Sequence, residues 1–186
     1  MVHPLLLTGL SLLLFACGGG DRSGDFPTCP TSAAHPQWLT GRVIRVHDGD
    51  TLMLNTGTGT EHVRLQGIDA PELLQEAGPQ AQLALSLLSL ERTVAVAWAG
   101  RDVYGRLLGQ VFSSTCQDIN LTLLEQGMAW FYKAYACELD PTRRARYALA
   151  QAQAQSARQG LWQQAQPVAP WVYRNGQDPA APECPF

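Results

Sequence analysis

Between residues 42 and 112 the chain sets apolar residues on alternate positions in short runs, each closed by small or polar residues. Val43 to His47, Thr51 to Asn55 and His62 to Ile68 read as three strands. Asp48-Gly49 and the Thr-Gly-Thr-Gly-Thr run ending at Thr60 supply the turns between them. Val94, Val96 and Trp98 alternate in a fourth run, and a fifth follows from Arg106 to Phe112. The expectation is a meander of five short strands. Three stretches switch to helical spacing. Pro79 suits a first helical turn, and Leu83, Leu87 and Leu90 with Ala84 and Leu88 form the expected buried stripe. A second helix is expected from a cap at Asp118 to a stop at Gly127, and a third from Asp140-Pro141 to Gly160. The Pro-rich tail after Gln166 is expected to wrap the surface. No internal repeat or second domain is visible. The fold class is therefore α+β, with one domain over residues 38–174 and a tail over 175–186.

The N-terminus reads differently. Residues 4–17, PLLLTGLSLLLFAC, form an apolar run of signal-peptide length, too short to span a bilayer well. Its end, Leu14-Phe15-Ala16-Cys17, resembles a bacterial lipobox, so residues 1–17 are expected to be a leader cut before a lipid-bearing Cys17. The alternative is a plain secretory signal cut nearby. Residues 18–37 read as a Gly-rich flexible tether. Either way the domain is exported, to the bacterial envelope (outer membrane or periplasm) as a lipoprotein held to the membrane through Cys17, or in secreted form. Four further cysteines, Cys29, Cys116, Cys137 and Cys184, allow three disulfide connectivities in an oxidising compartment. Cys29 with Cys184 and Cys116 with Cys137 are the expected pairs. No CxxC or Cys/His cluster points to zinc.

Of the 186 residues, 46 % are hydrophobic and 16 % charged, a globular balance. The formal net charge of −3 argues against a partner held by bulk electrostatics. Arg143, Arg144, Arg146 and Arg158 on the third helix read as a solvated face.

The stretch VRLQGIDAPE, Val63 to Glu72, departs from that plain picture. Arg64 shares strand parity with His62 and Gln66, opposite Val63 and Leu65. Asp69 closes the run, and Pro71 holds the following turn open before Glu72. Asp50 lies at another strand start, just past the Asp48-Gly49 turn. A barrel could set Asp50 and Asp69 side by side, where two carboxylates repel unless a cation lies between them. Hard oxygen ligands suit Ca²⁺ or Mg²⁺. Arg106, after Tyr104-Gly105, supplies a second guanidinium. Two aspartates, one glutamate and two arginines fit phosphodiester hydrolysis: a metal clamps the phosphate, a carboxylate activates water, and guanidinium forks meet the developing charge.

The order HDGDT, VRLQGIDAPE, RDVYGR, DINLTLLEQGMAWFY, GLW and PW resembles the staphylococcal nuclease (thermonuclease) family, from about Arg42 to Trp171. The resemblance implies a five-stranded OB-fold β-barrel with three α-helices. It implies calcium held by Asp50, Asp69 and the carbonyl of Ala70, Glu72 as general base, and Arg64 and Arg106 on the phosphate. It sets Tyr104 near a terminal phosphate, and Tyr132 and Tyr135 near the bases. Val103 stands where the best-known member has a lysine. The implied activity is a calcium-dependent endonuclease on DNA and RNA that leaves 3′-phosphate ends, acting as a monomer. The alternative is a non-catalytic OB-type module that binds nucleic acid or protein. A structural, calcium-stabilised barrel is a third possibility, but it leaves both arginines without a role. The presence of Asp50, Arg64, Asp69, Glu72 and Arg106 together favours the enzyme.

Overall fold

The alternating runs pair into a closed barrel in the computed structural model, which describes residues 29–31, 37–178 and 184. Its strands are β1 (Gln37–Val46), β2 (Thr51–Asn55), β3 (Thr60–Leu65), β5 (Thr93–Arg101) and β6 (Leu107–Phe112), and a two-residue pair, β4 (Ile68–Asp69) with β7 (Trp130–Phe131), lies outside it. The order round the barrel is β1-β2-β3-β6-β5. This corrects the expected meander: β6 runs parallel to β3, while the other barrel pairs are antiparallel. The β5–β6 hairpin closes the barrel by laying β5 along β1, which leaves β6 beside β3. β1 carries a register irregularity between Val43 and Arg45. Its first half pairs with β5 and its second with β2.

The described residues also form four helices, α1 (Gly78–Ser89), α2 (Ile119–Glu125), α3 (Pro141–Ser156) and α4 (Pro170–Asn175). The core joins Val43, Leu52, Leu54, Val63, Leu65, Val96 and Val111 of the strands to Leu85, Ile119, Leu123 and Leu124 of the helices. Asp118 caps α2 by accepting from the Leu121 amide at 3.1 Å, and Asp140 caps α3 by accepting from the Arg143 amide at 2.9 Å. α3 ends at Ser156, and Gly160 instead opens a short 3-10 turn, Gly160–Gln163.

Several expectations need correction. The α1 stripe is rolled: Leu83 and Leu87 are 58 % and 66 % exposed and Leu90 is exposed too, while Gly78, Ala81, Leu85 and Ser89 face inward. Ala84 and Leu88 are only partly buried. The roll is set at the helix start, where a Cβ on Gly78 would lie 1.9 Å from the Glu72 carbonyl oxygen. Leucine occurs all round this helix, so spacing could not choose the face. A fourth helix, α4, folds within the Pro-rich stretch expected only to wrap the surface. Arg143 is buried at 4 % exposure, not solvated, and donates to Gln66 Oε1 at 2.7 Å and Gln110 Oε1 at 3.2 Å.

The disulfides are Cys29–Cys116 and Cys137–Cys184, which overturns both expected pairings. Cys29 packs with Ala95, Ala97 and Phe112 on the outer face of β5 and β6, within reach of Cys116 after β6. Thr31 adds a bond to Gln110 Oε1 at 3.0 Å. Residues 29–31, assigned to the tether, are thus fastened to the barrel. Cys137 lies on the 3-10 turn Lys133–Glu138. The leader and Cys17 lie outside the described residues.

Candidate active site

The site grows from one crossing of β2 and β3. Thr51 pairs with Arg64 in register, and the Leu65 amide donates to the Asp50 carbonyl at 2.9 Å. Asp50 at the start of β2 and Arg64 on the outer parity of β3 therefore become neighbours. Gly67, at φ +81°, turns the chain out of the barrel, a conformation that glycine adopts without strain. The β4–β7 pair then sets Asp69 opposite Trp130, and the Tyr132 amide donates to the Gly67 carbonyl at 3.0 Å.

Arg64 clamps both aspartates. Its Nε lies 3.1 Å from Asp50 Oδ1, and Nη2 donates to Asp69 Oδ1 at 2.8 Å. Nη1 donates to the carbonyls of Leu65 at 2.9 Å and Ile68 at 2.8 Å. Of the five guanidinium N–H groups, one is left for a ligand. Asp50 and Asp69 are 5 % and 1 % exposed. Asp50 also accepts from the Thr51 hydroxyl at 3.1 Å and from the Ala70 amide at 2.7 Å. Burial pushes the Asp50 carboxyl up to about 6, against the pull of Arg64, and pushes Asp69 to about 6 with help from the Asp50 charge. The pair cannot carry two uncompensated charges. It is a ready acceptor for positive charge, and its hard oxygens suit Ca²⁺ or Mg²⁺.

Arg106 reaches the same place from the β5–β6 turn. Asp102 Oδ1 accepts from the amides of Tyr104 at 2.9 Å and Arg106 at 3.0 Å, which fixes the turn. Arg106 Nε donates to Asp102 Oδ2 at 2.7 Å, and Nη1 points to the Thr51 hydroxyl at 3.4 Å. Burial works to raise the Asp102 carboxyl, but the Arg106 and Tyr104 bonds outweigh it and hold the group below its usual range. Arg106 keeps three N–H groups free of these bonds. Tyr104 is 81 % exposed, and Arg106 lies 5.4 Å over its ring.

Glu72 stands on the loop before α1. Its amide donates to Gln75 Oε1 at 2.8 Å, and Gln75 Nε2 donates to the Val168 carbonyl at 3.0 Å. Tyr132 lies at the edge of the site, half-buried; burial first, then the Asp69 charge, raise its hydroxyl pKa against the opposing pull of Arg174. Tyr135 meets the Tyr132 ring edge-on at 4.8 Å and is half exposed. The structure thus brings Asp50, Arg64, Asp69, Ala70, Glu72, Arg106 and Tyr132 together. Tyr104 stands on the rim, and Tyr135 packs behind Tyr132.

Sequence reasoning missed Arg174 on α4. Its Nη2 donates to Asp69 Oδ2 at 2.7 Å, and its Nη1 to Glu72 Oε1 at 2.6 Å and Asp69 Oδ1 at 3.3 Å. Partial burial opposes the charge, but the Asp69 and Glu72 bonds outweigh it and raise the guanidinium pKa. Trp171, on the same short helix, stacks flat on Tyr132 at 5.1 Å and meets Trp130 edge-on at 5.6 Å. A signal for α4 was present: Pro170 sits where proline opens helices and Gly176, at φ +71°, where glycine closes them. Arg106, Thr51, Asp50, Arg64, Asp69, Arg174 and Glu72 form one unbroken chain of polar contacts.

The family model described as staphylococcal nuclease homologue matches residues 62–164. The chain is 40 % identical over 144 residues, 77 % of each chain, to a protein of Haemophilus influenzae named as an uncharacterized endonuclease. It is 37 % identical over 137 residues to a protein of Escherichia coli with the same description, covering 74 % of this chain and 86 % of the other. A protein of Shigella flexneri named micrococcal nuclease is 34 % identical over 149 residues, covering 75 % and 83 %.

Proposed function

Because this chain belongs to the staphylococcal nuclease homologues, we propose that it is a calcium-dependent endonuclease that hydrolyses the phosphodiester bonds of DNA and RNA. One observation carries the reading: buried Asp50 and Asp69 are bridged by Arg64, with Glu72 one contact away through Arg174. A module that only binds nucleic acid has no need of Glu72.

Asp50, Asp69 and the Ala70 carbonyl are the groups that would hold the ion. They offer two carboxylates and one carbonyl, an all-oxygen set that suits a hard cation. When bound, the ion supplies positive charge that polarises the scissile phosphate. The chain's own groups do the rest. Arg106 meets the non-bridging oxygens with its free N–H groups, and Arg64 adds its one remaining N–H while it holds both aspartates. Glu72 takes a proton from water as the water oxygen bonds to phosphorus. The bond from phosphorus to the 5′-oxygen breaks, and that oxygen takes a proton from solvent. The products are a 3′-phosphate and a 5′-hydroxyl. Tyr132, stacked on Trp171, presents a ring face or edge beside this centre, suited to a base.

Two disulfides support a place outside the cytoplasm, and the lipobox-like end of the apolar N-terminal run supports an envelope lipoprotein anchored on Cys17. The function is tested by incubating the purified full chain with plasmid DNA and with RNA, in calcium or in chelator. Cleavage of both in calcium alone is expected; no cleavage of either under any divalent ion would overturn the reading.

A further inference from the structure

Arg174 lies beyond the segment matched by the family model, and it makes three bonds to the two acids that matter most. Both oxygens of Asp69 are committed: Oδ2 accepts from Arg174, and Oδ1 accepts from Arg64 and Arg174. A divalent ion on Asp69 has to take at least one of these oxygens. Arg64 cannot yield it cheaply, because its side chain is 13 % exposed, three of its N–H groups donate hydrogen bonds and its Nε pairs with Asp50. The Arg174 side chain is 35 % exposed and can move.

Its helix cannot follow so easily. Trp171 is 5 % exposed, stacks on Tyr132, and donates from Nε1 to Asp178 at 2.7 Å. Gln75 ties the preceding segment to the Glu72 loop through the Val168 carbonyl. A fixed helix with a movable guanidinium can release Asp69 and keep Glu72. Among the described residues Arg174 is the partner of the Glu72 carboxylate.

We propose that Arg174 is a resident counter-cation and positioning residue of the site: its guanidinium occupies Asp69 until calcium displaces it, and it then holds Glu72 alone. The assignment rests on the calcium-dependent nuclease function proposed above. It makes two predictions of opposite sign, which a merely structural residue would not. Removing the competitor tightens calcium binding, and freeing Glu72 slows the chemical step. The bonds lost are charge-assisted but partly exposed, so Arg174→Gln should bind calcium about three- to tenfold more tightly. At saturating calcium its single-turnover rate on a short oligodeoxynucleotide should fall about tenfold, as for a base no longer held in line. Arg174→Lys keeps a charge without the fork, and both effects should be intermediate.

Calcium affinity is read by titration calorimetry on the full chain, which needs no turnover, and the fold of each variant by its melting curve in chelator. Tighter binding in Arg174→Gln with a slower chemical step supports the assignment. Equal or weaker binding in both folded variants overturns it, as does an unchanged rate. Calcium bound equally by wild type and variants removes Arg174 alone; no calcium bound by any of them removes the calcium reading and this assignment together.

Discussion

Arg64 and Arg106 are assigned the same substrate, yet the structure separates them in one measurable property. Arg64→Ala removes the cation between two buried carboxylates and leaves the Leu65 and Ile68 carbonyls without their donor. Breaking a buried ion pair from one side costs about 3–5 kcal/mol, part of which returns as Asp50 or Asp69 takes up a proton. With Arg174 still on Asp69 the net loss should be about 3 kcal/mol. Arg106→Ala removes an ion pair whose guanidinium is 29 % exposed, so its loss should stay below about 1 kcal/mol. Urea unfolding at pH 7 in chelator reads both. With a slope of about 2 kcal/mol per molar, typical for a chain of this size, Arg64→Ala should lower the midpoint by about 1.5 M and Arg106→Ala by less than about 0.5 M. Both should still lose turnover. Equal small shifts would refute the reasoning, because Arg64 would then be a solvated fork and not the clamp of the acidic pair.

Further outcomes follow from the same geometry. Burial raises Asp50 and Asp69 to about 6, so between the usual carboxylate range and that value the folded protein binds more protons than the unfolded chain. The ion-free protein should therefore lose stability as pH rises through that window. Calcium affinity should rise over it, because bound ion displaces protons; a calcium dissociation constant that is flat from pH 5 to pH 8 would contradict this. Arg143→Ala strips the donor from half-buried Gln66 and one of two donors from the buried Gln110 oxygen, and should cost about 1–3 kcal/mol in urea unfolding, where a solvated arginine would cost almost nothing. Cys17→Ser should move the protein from the detergent phase to the aqueous phase on partition, and an unmodified wild-type Cys17 by intact mass would remove the anchor.

Much of the site was legible because its residues belong to local strand grammar. Strand parity set Arg64 against Val63 and Leu65, and the ends of strands put Asp50 and Asp69 where a closing barrel gathers them. The closing order itself was not legible, since alternation says which residues pair but not that β6 lies parallel to β3. Leu83 and Leu87 misled for a related reason: a helix with leucine on several faces takes its roll from its anchor, here Gly78 on the Glu72 carbonyl. The cysteine pairing depended on where residues 29–31 and 184 return to the domain, which no local pattern records. Arg174 was hidden by distance, since it meets Glu72 across 102 positions of sequence, and a six-residue helix carries too little periodicity to announce which face it turns to the barrel.

The account stands most directly on Glu72. Single-turnover cleavage of a short end-labelled oligodeoxynucleotide should be compared between wild type and Glu72→Gln, with calcium saturating in both and its binding verified by calorimetry. The account predicts 3′-phosphate products from wild type and a chemical step slowed by about 10²–10⁴-fold in the variant, with calcium still bound. A variant that cleaves at the wild-type rate while still requiring calcium would contradict it, because the proton would then leave the water by a route that does not involve Glu72.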